Sequence, residues 1–276
     1  TFAVIHYRMK AKKSFGQHFL IDEIISEKIG YSLLCNSGIN NVLEIGPGKG
    51  VLTKYLVRQD LNLHVVEADK DMVEYLKKHK IVPEEKIIFL DFLKLNLSKV
   101  FNGDQFNIIG NYPYNISSQI LIKMINSKEL VPEMVGMFQK EVADRVVAKP
   151  GSKTYGIISV LVQAHYDGET IIDVPPQSFD APPKVNSSVI RLIRKENYTL
   201  PCDERLFRTV VKTAFNQRRK MLRNALKPLF GDDSIADDPY FTQRPEQLHV
   251  NAFVEITNKL SNHKPSQYES GIGDSQ

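Results

Sequence analysis

The tetrapeptide Asn111-Tyr112-Pro113-Tyr114 brings an amide side chain, a stiffened backbone and an aromatic ring together within four residues. That combination suits one kind of chemistry, alkylation of an amine attached to an aromatic ring, such as the amino group of adenine. The nitrogen of such an amine is a poor nucleophile because its lone pair is delocalised into the ring. The amide oxygen of Asn111 and a backbone carbonyl near Tyr112 can each accept one N–H. This draws the nitrogen towards tetrahedral geometry and returns lone-pair density towards an electrophile. Pro113 fixes the backbone so that the carbonyl points into the pocket. Tyr114 can stack on the base and hold it in line with the incoming group. No strong general base is needed, since the alkylated nitrogen becomes acidic and loses its proton readily. An ordinary Pro-containing turn has the same composition, so the motif's place in the fold decides between the two readings.

That place follows from the alternation of short apolar runs with helical patterns. Asn41–Ile45 reads as a strand that ends in Gly46-Pro47-Gly48-Lys49-Gly50, followed by a helix containing Val51, Leu52, Tyr55 and Leu56. Leu63–Glu67 is a second strand, and Met72, Val73, Leu76 and Lys77 mark the next helix. Lys86–Leu90 is a third strand, ending at Asp91, and Phe106–Ile109 a fourth, directly before the tetrapeptide. Met134–Gln139, Ile157–His165 and Ser187–Arg194 are further strand candidates. Strands separated by helices on this spacing predict parallel βαβ units and a doubly wound α/β sheet. In such a sheet ligands bind at the C-terminal strand edge, where Asn111 and the glycine turn both fall. An [Asn/Asp]-x-Pro-[Tyr/Phe] pattern at this place resembles that of methyltransferases acting on exocyclic amines.

Glycines in a strand-to-helix turn permit positive φ and close approach of a ligand, although a tight connection needs them equally. No Ser or Thr follows Lys49, which excludes a P-loop, and Val51 stands where GxGxxG requires glycine. Glu67, 21 residues after Gly46, ends the second strand, where a carboxylate can accept hydrogen bonds from both ribose hydroxyls. Asp91 ends the third strand in the same register, placed to hold an adenine amino group. An adenosine-containing ligand without a pyrophosphate fits best, and S-adenosylmethionine is the obvious candidate. A base methylated in such a pocket must leave its stack. Its second wall is assigned to Phe179, in the proline-stiffened loop Phe179–Val185, where a core aromatic is the competing reading.

Of 276 residues, 42% are apolar and 25% charged, which rules out wholesale disorder, and no apolar run approaches the length of a membrane span. The apolar start Phe2–Ile5 precedes the basic residues, the reverse of a signal peptide, and Met9 is a candidate natural start. Cys35 and Cys202 have no CxxC or metal spacing, so a reducing, intracellular setting is expected. The net charge of +4 is unevenly placed. Four of the six residues from Arg8 to Lys13 are basic, and Arg205–Lys227 holds eight bases and no acid. Asp232–Glu246 is the opposite, with five acids and one base. Arg219, Arg223 and Lys227 recur every four residues, which predicts one helical face, with Leu222, Ala225, Leu226 and Leu229 on another. Uncompensated bases repel one another, and a nucleic acid backbone relieves that repulsion better than solvent does.

Together these residues closely resemble the ribosomal RNA adenine dimethyltransferases over roughly Lys12 to Leu229. The motifs are Lys13-Ser-Phe-Gly-Gln-His-Phe-Leu20, Glu44-Ile-Gly-Pro-Gly-Lys-Gly50, Glu67, Asp91, Asn111-Tyr-Pro-Tyr114, Phe138-Gln-Lys-Glu-Val142, Phe179–Val185 and Gln217-Arg-Arg-Lys-Met-Leu-Arg-Asn224. The resemblance implies a Rossmann-like S-adenosylmethionine-dependent methyltransferase fold, placed at 1–195. Around Lys195–Leu200 the pattern changes to short helices without a convincing strand, which predicts a small all-helical domain, RNA-binding by the resemblance, at 196–276 with a poorly ordered tail after Leu260. It implies that His18, Leu20, Gly46, Gly48, Glu67, Asp91 and Asn111 bind the cofactor. Asn111, Tyr114 and Phe179 would then serve catalysis, and Arg218, Arg219, Lys220 and Arg223 would grip RNA, with no metal. His18 stands where the family more often has Asn, and Tyr112 where it more often has Leu. The implied reaction is dimethylation of two adjacent adenosines in a hairpin near the 3′ end of small-subunit ribosomal RNA, in an immature subunit, by a cytoplasmic monomer. An antibiotic-resistance methyltransferase of large-subunit RNA shares the catalytic motifs, and the Gln217–Asn224 motif argues against it. A DNA adenine methyltransferase would bring a target-recognition domain that nothing here resembles. An assembly checkpoint or transcription factor that had kept only the fold could have lost Asn111 or Glu67, and both are present.

Overall fold

The computed structural model describes residues 18–35, 38–230 and 238–263. The Arg8–Lys13 run, Met9, the start of the Lys13–Leu20 motif and the tail after His263 lie outside the described residues. The chain divides into two compact units, Thr1–Asp144 with Gly168–Arg194, and Arg145–Asp167 with Lys195–Gln276. This differs from the expected division at 195/196, because 145–167 pack with the C-terminal segment.

The first unit begins with β1 (Phe19–Leu20) and α1 (Glu23–Gly30), whose first turn is capped by the Asp22 carboxylate accepting from Ile25 N–H at 3.1 Å. There follow β2 (Asn41–Ile45), α2 (Thr53–Leu56), β3 (Asn62–Glu67), α3 (Lys70–Lys78), β4 (Ile87–Phe89) and β5 (Asn107–Asn111). After these come α4 (Ser117–Asn126), β6 (Glu133–Gln139) and α5 (Lys140–Val146), which runs across the boundary between the units. Beyond α6 (Ile157–Gln163), β7 (Tyr166–Val174), β8 (Phe179–Asp180) and β9 (Ser187–Arg194) complete it. Seven strands form one sheet in the order β4-β3-β2-β5-β6-β9-β7, while β1 and β8 pair separately as a two-stranded antiparallel ladder. From β4 to β6 the pairing is parallel, and β9 runs antiparallel to β6. The central strands are nearly continuous apolar runs, with Val42, Leu43, Ile108 and Ile109 fully buried, as a parallel sheet covered on both faces requires. The chain moves outward from β2 to β4, then returns to β5 on the other side of β2. Strand order therefore reverses between β2 and β5, and their carboxyl ends open onto the crevice where ligands bind in such sheets. This is a Rossmann-like α/β architecture.

In the second unit Ile157–Gln163 is helix α6, not the strand its β-branched residues suggest. Ser159 decides it: its hydroxyl accepts from Gly156 N–H at 2.9 Å and donates to the Arg145 carbonyl at 2.5 Å, closing the first turn. Ser159, Val160, Leu161 and Val162 are all buried, so the segment shows neither alternation nor a polar face. The amphipathic helix α7 (Glu204–Asn216) buries Phe207, Val210, Val211 and Ala214 and is capped by Asp203. Next come α8 (Leu222–Ala225), α9 (Lys227–Phe230) and α10 (Val250–His263), which continues past Leu260. Phe215 stacks on Phe253 at 5.9 Å, tying α7 to α10. The predicted continuous helix through Arg219, Arg223 and Lys227 is broken. Arg219 lies in the turn after α7, Arg223 in α8 and Lys227 at the start of α9. Pro228 has no N–H to offer the Asn224 carbonyl, so one helix cannot run through. Leu222, Ala225 and Leu226 are nevertheless buried, and Leu229 is half-buried.

Candidate active site

At the strand-order reversal lies a cavity of about 590 Å³, the size of a small-molecule site. Its wall includes His18, Leu20, Gly46, Gly48, Glu67, Asp91, Asn111 and Tyr114.

The glycine turn leaves β2 with Gly46, Gly48 and Gly50 at φ +67, +55 and +78°, the left-handed region. Gly46 N–H donates to the Val66 carbonyl at 2.9 Å, and a Cβ at Gly46 would meet nothing within 4 Å, so a ligand can lie against bare backbone. Glu67 ends β3 beside this turn. Its two oxygens accept from Gly48 N–H at 3.2 Å and Asp69 N–H at 2.8 Å. Burial pushes its carboxyl above the usual range, while these backbone donors and Ala68 N–H pull it back. A carboxylate so held still offers lone pairs to two vicinal hydroxyls. Asp91 follows β4 and accepts from Leu93 N–H at 2.9 Å, capping the turn Phe92–Lys94. Lys123 on α4 braces that turn by donating to the carbonyls of Leu93 and Leu95 at 2.9 and 2.6 Å.

Asn111 is the last residue of β5. Its Nδ2 donates to the His18 carbonyl at 3.0 Å, which leaves Oδ1 as the acceptor presented to a ligand N–H. Tyr114 is locked through its hydroxyl, 2.5 Å from Ser187 Oγ at the start of β9, so the ring plane is set by the sheet. The His18 imidazole stacks on Tyr114 with ring centroids 5.2 Å apart, and its Nδ1 lies 3.1 Å from the Ala181 carbonyl. Phe179 is placed differently from the expected base wall. It is 2% exposed, belongs to the apolar core, and meets the site through an edge contact with His18 at 6.4 Å. The β1–β8 ladder, which pairs Leu20 with Phe179, holds these side chains in register.

Glu44 on β2 also lines the cavity, a residue that motif reading placed beside the site but not in it. It is fully buried, and Thr53 Oγ1 donates to its Oε2 at 2.7 Å. Burial pushes its carboxyl up to about 8, against the pull of that hydrogen bond and with help from the Glu67 charge. The signal for it was a single acid inside the otherwise apolar strand Val42-Leu43-Glu44-Ile45. Ser187, the anchor of Tyr114, had no such signal.

Of the basic residues in the second unit, Arg219, Lys220 and Arg223 are exposed. Arg218 is engaged instead, donating to the Ser152 carbonyl at 3.2 Å with its Nε 3.9 Å from Glu246 Oε2.

A cavity at the switch point, a turn open to bare backbone, a ribose-type carboxylate and an oriented amide are what an adenosine-containing methyl donor requires. Comparisons with known proteins agree. The family model described as ribosomal RNA adenine dimethylase matches residues 8–261. The chain is 53% identical over 253 residues to the ribosomal RNA small subunit methyltransferase A of Flavobacterium johnsoniae, covering 92% of this chain and 97% of that one. Its counterpart from Parabacteroides distasonis is 52% identical over 260 residues, covering 94% and 97%. Among solved structures, a dimethyladenosine transferase from Plasmodium falciparum superposes with a TM-score of 0.73 at 25% identity, over 89% of this chain and 98% of that one. The 23S rRNA methyltransferase ErmE shares the fold at a TM-score of 0.64 and 21% identity, over 87% and 99%. The fold is therefore that of S-adenosylmethionine-dependent methyltransferases, S-adenosylmethionine is the methyl donor, and the chain belongs to the ribosomal RNA adenine dimethylase family.

Proposed function

We propose that this chain dimethylates the N6 amines of two adjacent adenosines in a hairpin near the 3′ end of small-subunit ribosomal RNA. Support comes first from the Asn111 amide, whose NH₂ is committed to the His18 carbonyl so that Oδ1 is left to accept from the target amine. The names of the Flavobacterium and Parabacteroides relatives point to the small subunit. S-adenosylmethionine supplies, when bound, a methyl group made electrophilic by the sulfonium charge. Glu67 would hold the ribose and Asp91 the cofactor's adenine. His18 and Leu20 would line the methionine end, and Gly46 and Gly48 admit the ligand to the backbone. Asn111 Oδ1 and the Tyr112 carbonyl would accept the two N–H groups of the target, with its base stacked on Tyr114. Phe179 would act at one remove, behind His18. The apolar wall formed by Phe19, Leu20, Ile45, Leu52 and Phe92 excludes water, which favours neutralisation of charge during transfer. Arg219, Lys220 and Arg223 would contact the RNA backbone, with Arg218 holding their turn. The acceptor in this reading is an immature small subunit, and the protein works as a monomer in the cytoplasm. Among the described residues, no helix is long and apolar enough to cross a membrane.

Transfer of radiolabelled methyl groups from S-adenosylmethionine tests the reading, with unmodified immature small subunits and protein-free large-subunit RNA as acceptors. Label recovered as dimethyladenosine in the small subunit alone, and lost in Asn111→Ala, is expected. Label in the large-subunit RNA instead would move the protein to the resistance group. Tight subunit binding without label would leave only an assembly role.

A further inference from the structure

We infer that the Tyr112 side chain is a positioning residue for methyl transfer, its ring seated in a notch of two glycines that fixes the adjoining backbone carbonyl. The inference rests on the proposed reading of the site and adds a role for a side chain that the motif leaves unassigned.

The register of β5 on β6 sets Gly110 opposite Gly136 and Asn111 opposite Met137. Tyr112 leaves the strand just beyond, its N–H donating to the Met137 carbonyl at 3.3 Å. The ring then folds back over the glycine pair. A Cβ at Gly136 would lie 2.0 Å from Tyr112 Cε2 and 2.8 Å from both Cδ2 and Cζ, and one at Gly110 would lie 2.7 Å from Cε1. Neither glycine is among those with positive φ, so both are needed for space: Gly136 for the ring alone, and Gly110 for the ring together with the Ile45 carbonyl of β2, 2.5 Å from its Cβ position. The hydroxyl donates to the Val135 carbonyl at 3.0 Å, and the ring packs edge-on against Phe138 at 5.1 Å. Tyr112 is 1% exposed.

The segment Asn111-Tyr112-Pro113 is thereby clamped from two sides, by the buried ring within the sheet and by the proline at φ −57°. The carbonyl of this segment is the second acceptor for the target amine. A displacement of about 1 Å at such a group costs up to about a hundredfold in rate. Most of the cofactor cradle, at β1, the end of β3 and the turns after β2 and β4, is built on other segments, and the Asn111 amide that it shares with the target is held separately by the His18 carbonyl. A side chain that only filled the core would change stability with no preference between cofactor binding and transfer, whereas a positioning ring changes transfer alone.

The test introduces Gly136→Ala into the wild-type chain and into Tyr112→Leu, reading single-turnover methyl transfer to unmodified immature small subunits and the Kd for S-adenosylmethionine. Alanine displaces the ring, so Gly136→Ala alone is expected to slow transfer by about tenfold or more with the cofactor Kd within about twofold. Leucine ends short of the Cε2 position, so in the Tyr112→Leu background the same change is expected to cost less than about twofold. Tyr112→Leu alone, which leaves the notch partly empty, is expected to slow transfer about fivefold at unchanged cofactor affinity, and it decides the matter should Gly136→Ala not fold. Equal losses from Gly136→Ala in both backgrounds, or an unchanged rate in Tyr112→Leu, overturn the inference while the wild type remains active. A wild type that transfers no methyl overturns the reading of the site, and the inference with it.

Discussion

Glu44 allows the electrostatics of the cavity to be tested by stability alone. In the folded chain its carboxyl is pushed up to about 8, against 4.5 as its ordinary value. Between those values the folded state keeps a proton that the unfolded state has lost. The unfolded state therefore binds fewer protons, and stability falls as pH rises. The contribution is fully present below about 4.5 and is lost through about 8. At about 1.36 kcal/mol per pH unit, it falls by about 3 kcal/mol between pH 5 and 7.5. For a chain of this size that corresponds to roughly 6–12 °C in Tm. Glutamine is isosteric with the protonated acid, can still accept from Thr53 Oγ1, and does not titrate. Glu44→Gln is thus expected to melt near the wild type at pH 5 and roughly 6–12 °C above it at pH 7.5, in ligand-free protein followed by calorimetry. Burial also raises Glu67 and Glu133, while Asp173 and Asp238, held by Ser188 and Lys259 hydrogen bonds, are lowered. Those groups are common to both proteins and cancel in the difference. A gap in Tm that is the same at pH 5 and 7.5 would refute the reasoning, since it would mean that Glu44 is ionised throughout.

Ser187→Ala should unlock the Tyr114 ring, weakening transfer several-fold without changing cofactor affinity, and should add nothing to Tyr114→Phe in a double-mutant cycle. Additive losses would show that Ser187 acts by another route. Glu67→Gln removes the charge from the ribose contact, and loss of a charged hydrogen bond of about 1.5–3 kcal/mol should raise the S-adenosylmethionine Kd by roughly ten- to a hundredfold in calorimetric titration. Replacing Arg219, Lys220 and Arg223 by Ala should reduce the slope of log K for RNA against log salt by about 0.7–0.9 for each phosphate that is no longer neutralised. Arg218→Ala, by contrast, should lower the thermal stability of the helical unit, because that guanidinium is spent on Ser152 and Glu246.

Features that local chemistry determines were legible in the sequence. The strands that lead to Gly46, Glu67, Asp91 and Asn111 announce themselves as apolar runs that give way to glycine or polar residues at the carboxyl end, because a parallel sheet buried on both faces favours apolar residues within it and leaves its edge to polar ones, Glu44 being the exception. Periodicity failed where long-range packing outweighs local preference. Ile157–Gln163 has the residues of a strand, yet the Ser159 hydroxyl, bonded to the Arg145 carbonyl fourteen residues earlier, starts a helix there. The repeat of Arg219, Arg223 and Lys227 failed for a local reason, the missing N–H of Pro228. Phe179 marks a subtler boundary. Its loop was expected to wall the site, but whether an aromatic ring faces a cavity or the core depends on its strand partner. The β1–β8 ladder, only two residues long, turns the ring inward behind His18. Tyr112 shows the same dependence from the other direction. Nothing in Asn-Tyr-Pro-Tyr says that the first tyrosine needs a slot, and nothing around Gly136 says that it provides one. The two meet only because Gly110 on β5 lies opposite Gly136 on β6, 26 residues later in the chain. A tyrosine at that position is compatible with a tightly held carbonyl only if both glycines are present. The specificity of the motif is thus completed by a residue well outside it.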